Sequence, residues 1–462
     1  MLDFFAPLLA VGSFSDREFY NQTVLHPIAA GMLSIAVVAL LTLPRNRVFL
    51  PFFMLLSFVP EAQRVAVLTL DFRFLRLLVL FAWIRLFIRG ELRPFKWCAI
   101  DYLIIGWQVF RGVGTTLSNE GTSGIIYSCG QLFDAVGTYF FFRVAIRDRE
   151  DVVRVLKDAM LVAIPIALFF LAEKQTARNI FSVFGGVREA TFVRDGRLRI
   201  QGAYAHPIIA GCLWAVMLPQ FVAILMRAKE SKFLPFIGVT CTLIIIYCCA
   251  SSTPVMAVLF GMMAGAMFQV RSLLPLVRWG IPITLFGLHM VMEAPVWHLI
   301  SRIDVVGGST GWHRYSLIDK FIRYTNEWWL HGVKSTAHWG IIDITNQYVL
   351  EGIFGGLITL VLFVLMIGYG FFAVRKAMER APHDRWQQIF YWSFGVGLFM
   401  HVMNFIAVSY FGQIMLIWYL QLALLAVLWT APPDHAGAVP VAQATQPVPR
   451  RRVARGAPEI YA

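Results

Sequence analysis

An all-α, polytopic bundle of about 12 to 13 transmembrane helices is the fold class this sequence predicts, and three observations carry it. Hydrophobic residues make up 58% of the 462 positions and charged residues only 15%, with a mean hydropathy of +0.67. Apolar stretches recur along most of the chain, many near the ~20 residues that a helix needs to cross a bilayer. The loops between them alternate in basic content, the charge pattern of a chain threaded repeatedly through a membrane. Soluble globular classes are thereby excluded.

The apolar segments run over 27–43, 47–60, 73–88, 98–111, 123–145, 156–172, 206–226, 233–250, 252–270, 276–293, 346–374, 388–409 and 412–430. Several are short for a span, the second most of all. Met1 to Phe14 is apolar but has no basic leader, which argues against a cleaved signal peptide and suits an interfacial segment. Arg45 and Arg47, Arg85 to Lys96, Arg143 to Lys157, Arg227 to Lys232, Arg271 with Arg278, and Arg375 to Arg385 fall in alternate loops, which reads them as cytoplasmic. The net charge of +13 is therefore mostly membrane topology and does not point to nucleic acid. The six cysteines lie in or beside apolar stretches without metal-type spacing and read as small core residues. The expected organisation is a transmembrane domain over 1–430 and a disordered, basic cytoplasmic tail over 431–462, rich in Pro, Ala, Val and Gln and carrying Arg450 to Arg452.

With that orientation two long loops, about 173–205 and about 294–345, lie on the opposite, periplasmic face, separated by an even number of helices. Both are basic where a membrane protein normally is not. The first carries Arg188, Arg194, Arg197 and Arg199 and leads to His206-Pro207; the second runs from Arg302 through His313 and Arg314 to Lys334. Outward basic clusters between apolar helices suggest a bound anion. Neither loop shows strand alternation. Trp312 to Leu330 reads as a helix with Asp319, Lys320, Arg323, Asn326 and Glu327 on one face and Ile318, Phe321, Ile322, Trp328 and Trp329 on the other. Arg314 falls on the apolar face, where it either snorkels to lipid headgroups or points into the bundle toward an anion.

These residues resemble a family. Arg199-Ile-Gln-Gly-Ala-Tyr-Ala-His206-Pro207, followed by a helix with Gly211, is similar to the Arg…Gly…His-Pro lead into a central helix in the O-antigen ligase and Wzy-type polysaccharide polymerase superfamily. Arg314 followed by Trp329-Leu-His331-Gly332-Val resembles that superfamily's Arg and Pro/His-x-Gly turn. Thr345-Asn346 with Gly356 and Thr359 resembles the ligase signature of His-Asn/Ser/Gln followed by Gly-x-x-Gly/Thr/Tyr, with Thr345 in place of the histidine. The likeness covers about 190 to 375.

The resemblance implies a glycosyltransferase acting on undecaprenyl-diphosphate-linked oligosaccharide at the outer face of the bacterial inner membrane, with no cofactor and no metal. Its partners would be that lipid-linked saccharide and membrane lipid; whether a chain-length regulator binds is not legible in the residues. A diphosphate leaving group must be held and its developing charge stabilised, a task suited to guanidinium groups. Arg199 and Arg314 are the first candidates, with Arg197, Arg194 and His206 behind them. The acceptor hydroxyl needs a base or an oriented hydrogen-bond acceptor. Thr345 cannot serve, which leaves Asp343 and His338 nearest by position, with His206 and His313 as further options. Asp343 can instead cap the next helix, His338 beside Trp339 can be interfacial, and Glu351 can either line the cavity with Asn346 or serve helix packing. Asp134 is an intramembrane acid expected to find a cationic or polar partner. Without the ligase histidine, a polymerase of exopolysaccharide, capsule or O-antigen repeat units is expected ahead of a ligase, and a lipid or solute transporter is the reading from another class.

Overall fold

The structure, a computed structural model, describes residues 19, 22–68, 70–118, 122–227, 231–302 and 311–431. The expected interfacial N-terminal segment and the expected basic tail fall outside the described residues. What is described is an all-α helical bundle with two small β-hairpins.

In chain order the elements are α1 (Pro27–Thr42), α2 (Phe49–Phe58), β1 (Arg64–Val67), β2 (Leu70–Arg73), α3 (Phe74–Ile88), α4 (Ala99–Ser118) and α5 (Thr122–Leu132). A π-helical turn over Phe133–Gly137 joins α5 to α6 (Thr138–Ala145). There follow α7 (Arg149–Thr176), β3 (Phe192–Arg194), β4 (Arg197–Arg199), α8 (Pro207–Leu225), α9 (Phe233–Cys248), α10 (Ser252–Ala266) and α11 (Leu274–Val291). Beyond the second long loop, with α12 (Gly311–Arg323) and α13 (Thr325–Trp328), come α14 (Gln347–Arg380), α15 (Arg385–Ala407) and α16 (Gln413–Thr430). Each apolar segment read from the sequence coincides with a helix. Six of the described helices are long and apolar enough to cross a membrane, and the chain is a multi-pass membrane protein.

Local chemistry sets the helix starts. Asp148 and Asp384 cap α7 and α15 by accepting hydrogen bonds from Asp151 N and Gln387 N. His206 Nδ1 accepts from Ile208 N at 3.1 Å at the start of α8, where Pro207 lacks an amide to satisfy. At α14 the cap is Asn346, whose Oδ1 accepts from Tyr348 N at 2.9 Å and Val349 N at 3.2 Å. The capping role open to Asp343 thus belongs to Asn346, because an Asx side chain reaches only the amides two or three residues ahead. The most deeply buried large side chains include Trp107, Trp214 and Trp418, and α8 and α16 are buried along nearly their whole lengths.

Charged loops gather at the two ends of the bundle. At one end Arg45 pairs with Asp151 at 2.5 Å, Arg47 with Asp158, Arg85 with Glu91 at 2.8 Å and Arg227 with Glu150 at 3.4 Å. Arg143 reaches Lys96 O and Thr430 Oγ1 there, both at 2.8 Å. These are the loops read as cytoplasmic. At the other end Gln63 Nε2 donates to Phe184 O at 2.5 Å, and Gln413 ties down the turn before α8 through Ala203 O and Ala205 N.

Three expectations change. The first long loop contains the β3–β4 hairpin, pairing Phe192 with Arg199 around Asp195-Gly196, both with positive φ. Its strands have only three residues each, too short for an alternation to show in the sequence. The helix expected over Trp312 to Leu330 breaks at Tyr324, where Phe321 and Trp328 stack at 3.9 Å and Trp328 Nε1 donates to Phe321 O. Asp319, expected on the polar face, is buried, accepting from Trp297 Nε1 and pairing with Arg323.

Helix α14 departs from helical geometry at Gly355 and at Gly356, whose φ is 71°. The segment Trp329 to Val333 crosses it there: Leu357 N donates to Trp329 O at 2.8 Å and Val333 N to Ile353 O at 2.9 Å. Thr115 Oγ1 donates to Phe354 O at 3.3 Å and Thr359 Oγ1 to Gly355 O at 2.8 Å. The break is therefore satisfied by protein on every side named, as a membrane interior demands.

Candidate active site

Between α2, α3, α5, α14 and the start of α16 lies a cavity of about 520 Å³. Its walls are largely apolar, with Leu55, Val59, Val79, Leu350, Phe354 and Leu416 among them. Leu80 and Ile125 also line it, and at 40% and 52% exposure they carry the lining out onto the exposed surface of α3 and α5. Cys129, one turn after Ile125, lines the same mouth and is exposed, whereas the other five cysteines are buried.

The polar part of the lining is built by the β1–β2 hairpin and the helices around it. Arg73, Arg76 and Arg111 contribute guanidinium groups; Glu61, Asp71 and Asp134 contribute carboxylates. Arg73 Nη1 lies 2.6 Å from Glu61 Oε1. Arg76 grips Asp134 with two parallel hydrogen bonds, Nε to Oδ1 at 2.7 Å and Nη2 to Oδ2 at 2.6 Å, and its Nη1 donates to Asp71 O. Asp134 so finds the cationic partner expected of it. It lies on the π turn, a local widening that often accompanies functional sites in helices. Arg64, fully buried behind the lining, holds Asp71 Oδ2 at 2.8 Å.

Arg111 is tethered differently. Its Nη1 lies 3.3 Å from Glu351 Oε1, and its guanidinium sits over Phe354 at 4.9 Å. Glu351 is fully buried on α14 and also accepts from Trp107 Nε1 and Gln347 Nε2. Among the described residues, Arg111 Nε and Nη2 make no hydrogen bond to protein, so donors remain at the cavity wall. Glu351 itself does not line the cavity; it positions the arginine that does.

The residues chosen from sequence lie outside this cavity. Arg199 is 5% exposed with Phe192 as a ring neighbour, and its Nε is buried without a hydrogen-bond partner among the described residues. Burial, followed by the nearby Arg194, holds its guanidinium below its usual pKa. Arg194 faces Asp195 at 3.6 Å, and Arg197 is exposed. His206, the α8 cap, is pushed down to about 4 by burial and then by Arg199 and Arg194, so it is neutral at pH 7. Arg314 is half-buried with an Nε that likewise lacks a partner among the described residues, and burial lowers its pKa. His313 Nε2 lies 3.1 Å from the main-chain oxygen of Asp343, whose side chain is exposed. His338 is exposed and pairs with Glu327 at 2.6 Å; hydrogen bonds from His338 and then Trp339 hold the Glu327 carboxyl below its usual value. None of these residues is in the cavity lining.

Sequence reasoning passed over Arg73, Arg76, Arg111, Glu61 and Asp71. The available signal was three arginines, Arg64, Arg73 and Arg76, on the outward side of a short second helix. Interleaved acids nearly cancelled them in any count of loop charge. Arg111 lay inside an apolar segment and belonged to no loop. Compared with known proteins, the chain matches no protein-family model and no curated protein.

Proposed function

We propose that the protein is a glycosyltransferase that polymerises undecaprenyl-diphosphate-linked oligosaccharide at the periplasmic face of the bacterial inner membrane, with its C-terminus cytoplasmic. The observation that carries this reading is the apolar cavity, opening at the exposed Leu80 and Ile125, whose polar part presents Arg111 with unspent donors beside Arg73 and Arg76. An isoprenoid diphosphate has the matching shape: a greasy chain for the mouth at Leu80 and Ile125, and an anionic head for the guanidinium groups. A preorganised set of guanidinium donors also stabilises the charge that develops on a departing diphosphate, where excluded water makes each interaction stronger. The fit is chemical, and the sequence resemblance points the same way.

Transport is the reading favoured by one feature, the broken helix α14, since discontinuous helices often carry ion and substrate sites. Here the peptide groups named at the break are bonded to Trp329, Val333, Thr115 and Thr359, which leaves them no task at a ligand. The experiment is elongation of purified lipid-linked repeat units in detergent, where vectorial transport does not register. Cys129 adds a binding readout: undecaprenyl diphosphate at the mouth should shield this native thiol from a maleimide. Absence of any elongated product together with unshielded Cys129 would sink the reading. Product appearing only when lipid A-core is supplied would select ligation over polymerisation.

A further inference from the structure

The carboxylates lining the cavity are not equivalent. Asp134 has both oxygens committed to Arg76. Glu61 gives Oε1 to Arg73 and makes a further interaction besides. Asp71 gives only Oδ2, to Arg64; its Oδ1 is buried and has no hydrogen-bond partner among the described residues. A charged acceptor removed from water and left unbonded is costly, and a hydroxyl delivered to it recovers that cost. Strand β2 positions this oxygen: Asp71 and Arg73 fall on the same face of the strand, and Arg76 Nη1 holds the main-chain oxygen of Asp71. The charged groups around it are Arg64 behind and, in the same lining, Arg73, Arg76, Arg111, Glu61 and Asp134.

We propose that Asp71 is the general base of the reaction, an inference that rests on the glycosyl-transfer reading. The acceptor sugar's hydroxyl oxygen bonds to the anomeric carbon of the donor sugar, and the bond from that carbon to the diphosphate oxygen breaks. The bonding pair leaves with the lipid diphosphate, held by the arginines. The hydroxyl proton passes to Asp71 Oδ1 and from there to water at the outer end. Arg64 is a positioning residue: it fixes one carboxylate oxygen so that the other meets the acceptor. Neither Asp343 nor His338 is in a place to take this proton from a substrate in the cavity, since neither lines it.

The test uses the full chain. Asp71→Asn is nearly isosteric and keeps an oxygen for Arg64, so it removes the base while retaining the local hydrogen bond. Expected are a loss of turnover of at least ~100-fold and shielding of Cys129 by undecaprenyl diphosphate at concentrations within about threefold of wild type, since the diphosphate is held by other residues. Wild-type turnover should fall on acidification along a one-proton limb, and the residual turnover of Asp71→Asn should be flat over the same range. Asp71→Glu should restore that limb. Turnover by Asp71→Asn close to wild type, persistence of the acid limb in it, or loss of Cys129 shielding would each overturn the assignment. Wild type that binds and elongates while Asp71→Asn does the same defeats Asp71 alone. Wild type that never elongates defeats the glycosyl-transfer reading and this base with it.

Discussion

Arg111 shows how one buried contact decides what a neighbouring arginine can do. Glu351 takes a single nitrogen of its guanidinium, while Trp107 and Gln347 fill the other sides of that carboxylate. The planar fork can hold Glu351 and an anion at once, whereas one ammonium cannot. Arg111→Lys, which keeps a cation beside the buried glutamate, should still insert and fold but need about tenfold more undecaprenyl diphosphate to shield Cys129. Equal shielding would place the anion elsewhere, with Arg199 and Arg314 next to be tried. His206 supports a prediction on stability. Its imidazole sits at about 4 in the folded protein against the ordinary 6.5. As pH falls from about 6.5 toward 4, the unfolded chain binds a proton that the folded chain refuses, so stability declines across that window and levels off below it. His206→Asn keeps an acceptor for Ile208 N and does not titrate, so its melting temperature should fall less than wild type's between pH 7 and pH 4.5. Parallel curves would contradict the assignment.

At the scale of elements, the crossing of the Trp329 to Val333 segment over the break in α14 joins two motifs that follow one another in the chain. Gly332 has a φ of 91°, and a Cβ there would lie 2.2 Å from Ile353 O. Gly356, with a φ of 71°, would place its Cβ 2.6 Å from Leu330 O. Gly332 and Gly356 therefore serve backbone approach, and Thr359 bonds Gly355 O across the break. Gly332→Ala should destabilise by about 2–4 kcal/mol, combining an unfavourable backbone conformation with overpacking. Gly368→Ala, in the same helix with open space around it, should leave stability unchanged or slightly raised. Thermal unfolding in one detergent compares the two, and similar losses in both would refute the crossing as the cause.

For the whole molecule, the segregation of charged loops into two ends makes the orientation testable. Ala190→Cys and Ala337→Cys place thiols at exposed positions of the two long loops. In a Cys129→Ser background both should react with an impermeant maleimide in cells whose outer membrane has been permeabilised. Protection of both until lysis would invert the protein and move the cavity's hairpin to the cytoplasmic side. Because Gln63 is bonded to Phe184 and Gln413 to the turn before α8, the cavity shares its end of the bundle with the first of these loops.

Much of the architecture was legible in the residues alone. The apolar runs marked the helices because a bilayer demands long uncharged segments, and the alternating basic loops divided the ends because charge is expensive to translocate. Asp134 announced a partner because an acid between apolar residues needs one. What only the tertiary structure decided is which charges share a cavity. Arg76 meets Asp134 across 58 positions and Arg111 meets Glu351 across 240, and no local period encodes such pairings. Arg199 and Arg314, in loops expected to face outward, stood out as unbalanced charge. Of the cavity's own arginines, Arg73 and Arg76 were masked by the nearby Glu61 and Asp71, which offset them in a count of loop charge, and Arg111 by its place inside an apolar segment, its partner Glu351 being visible only in the fold.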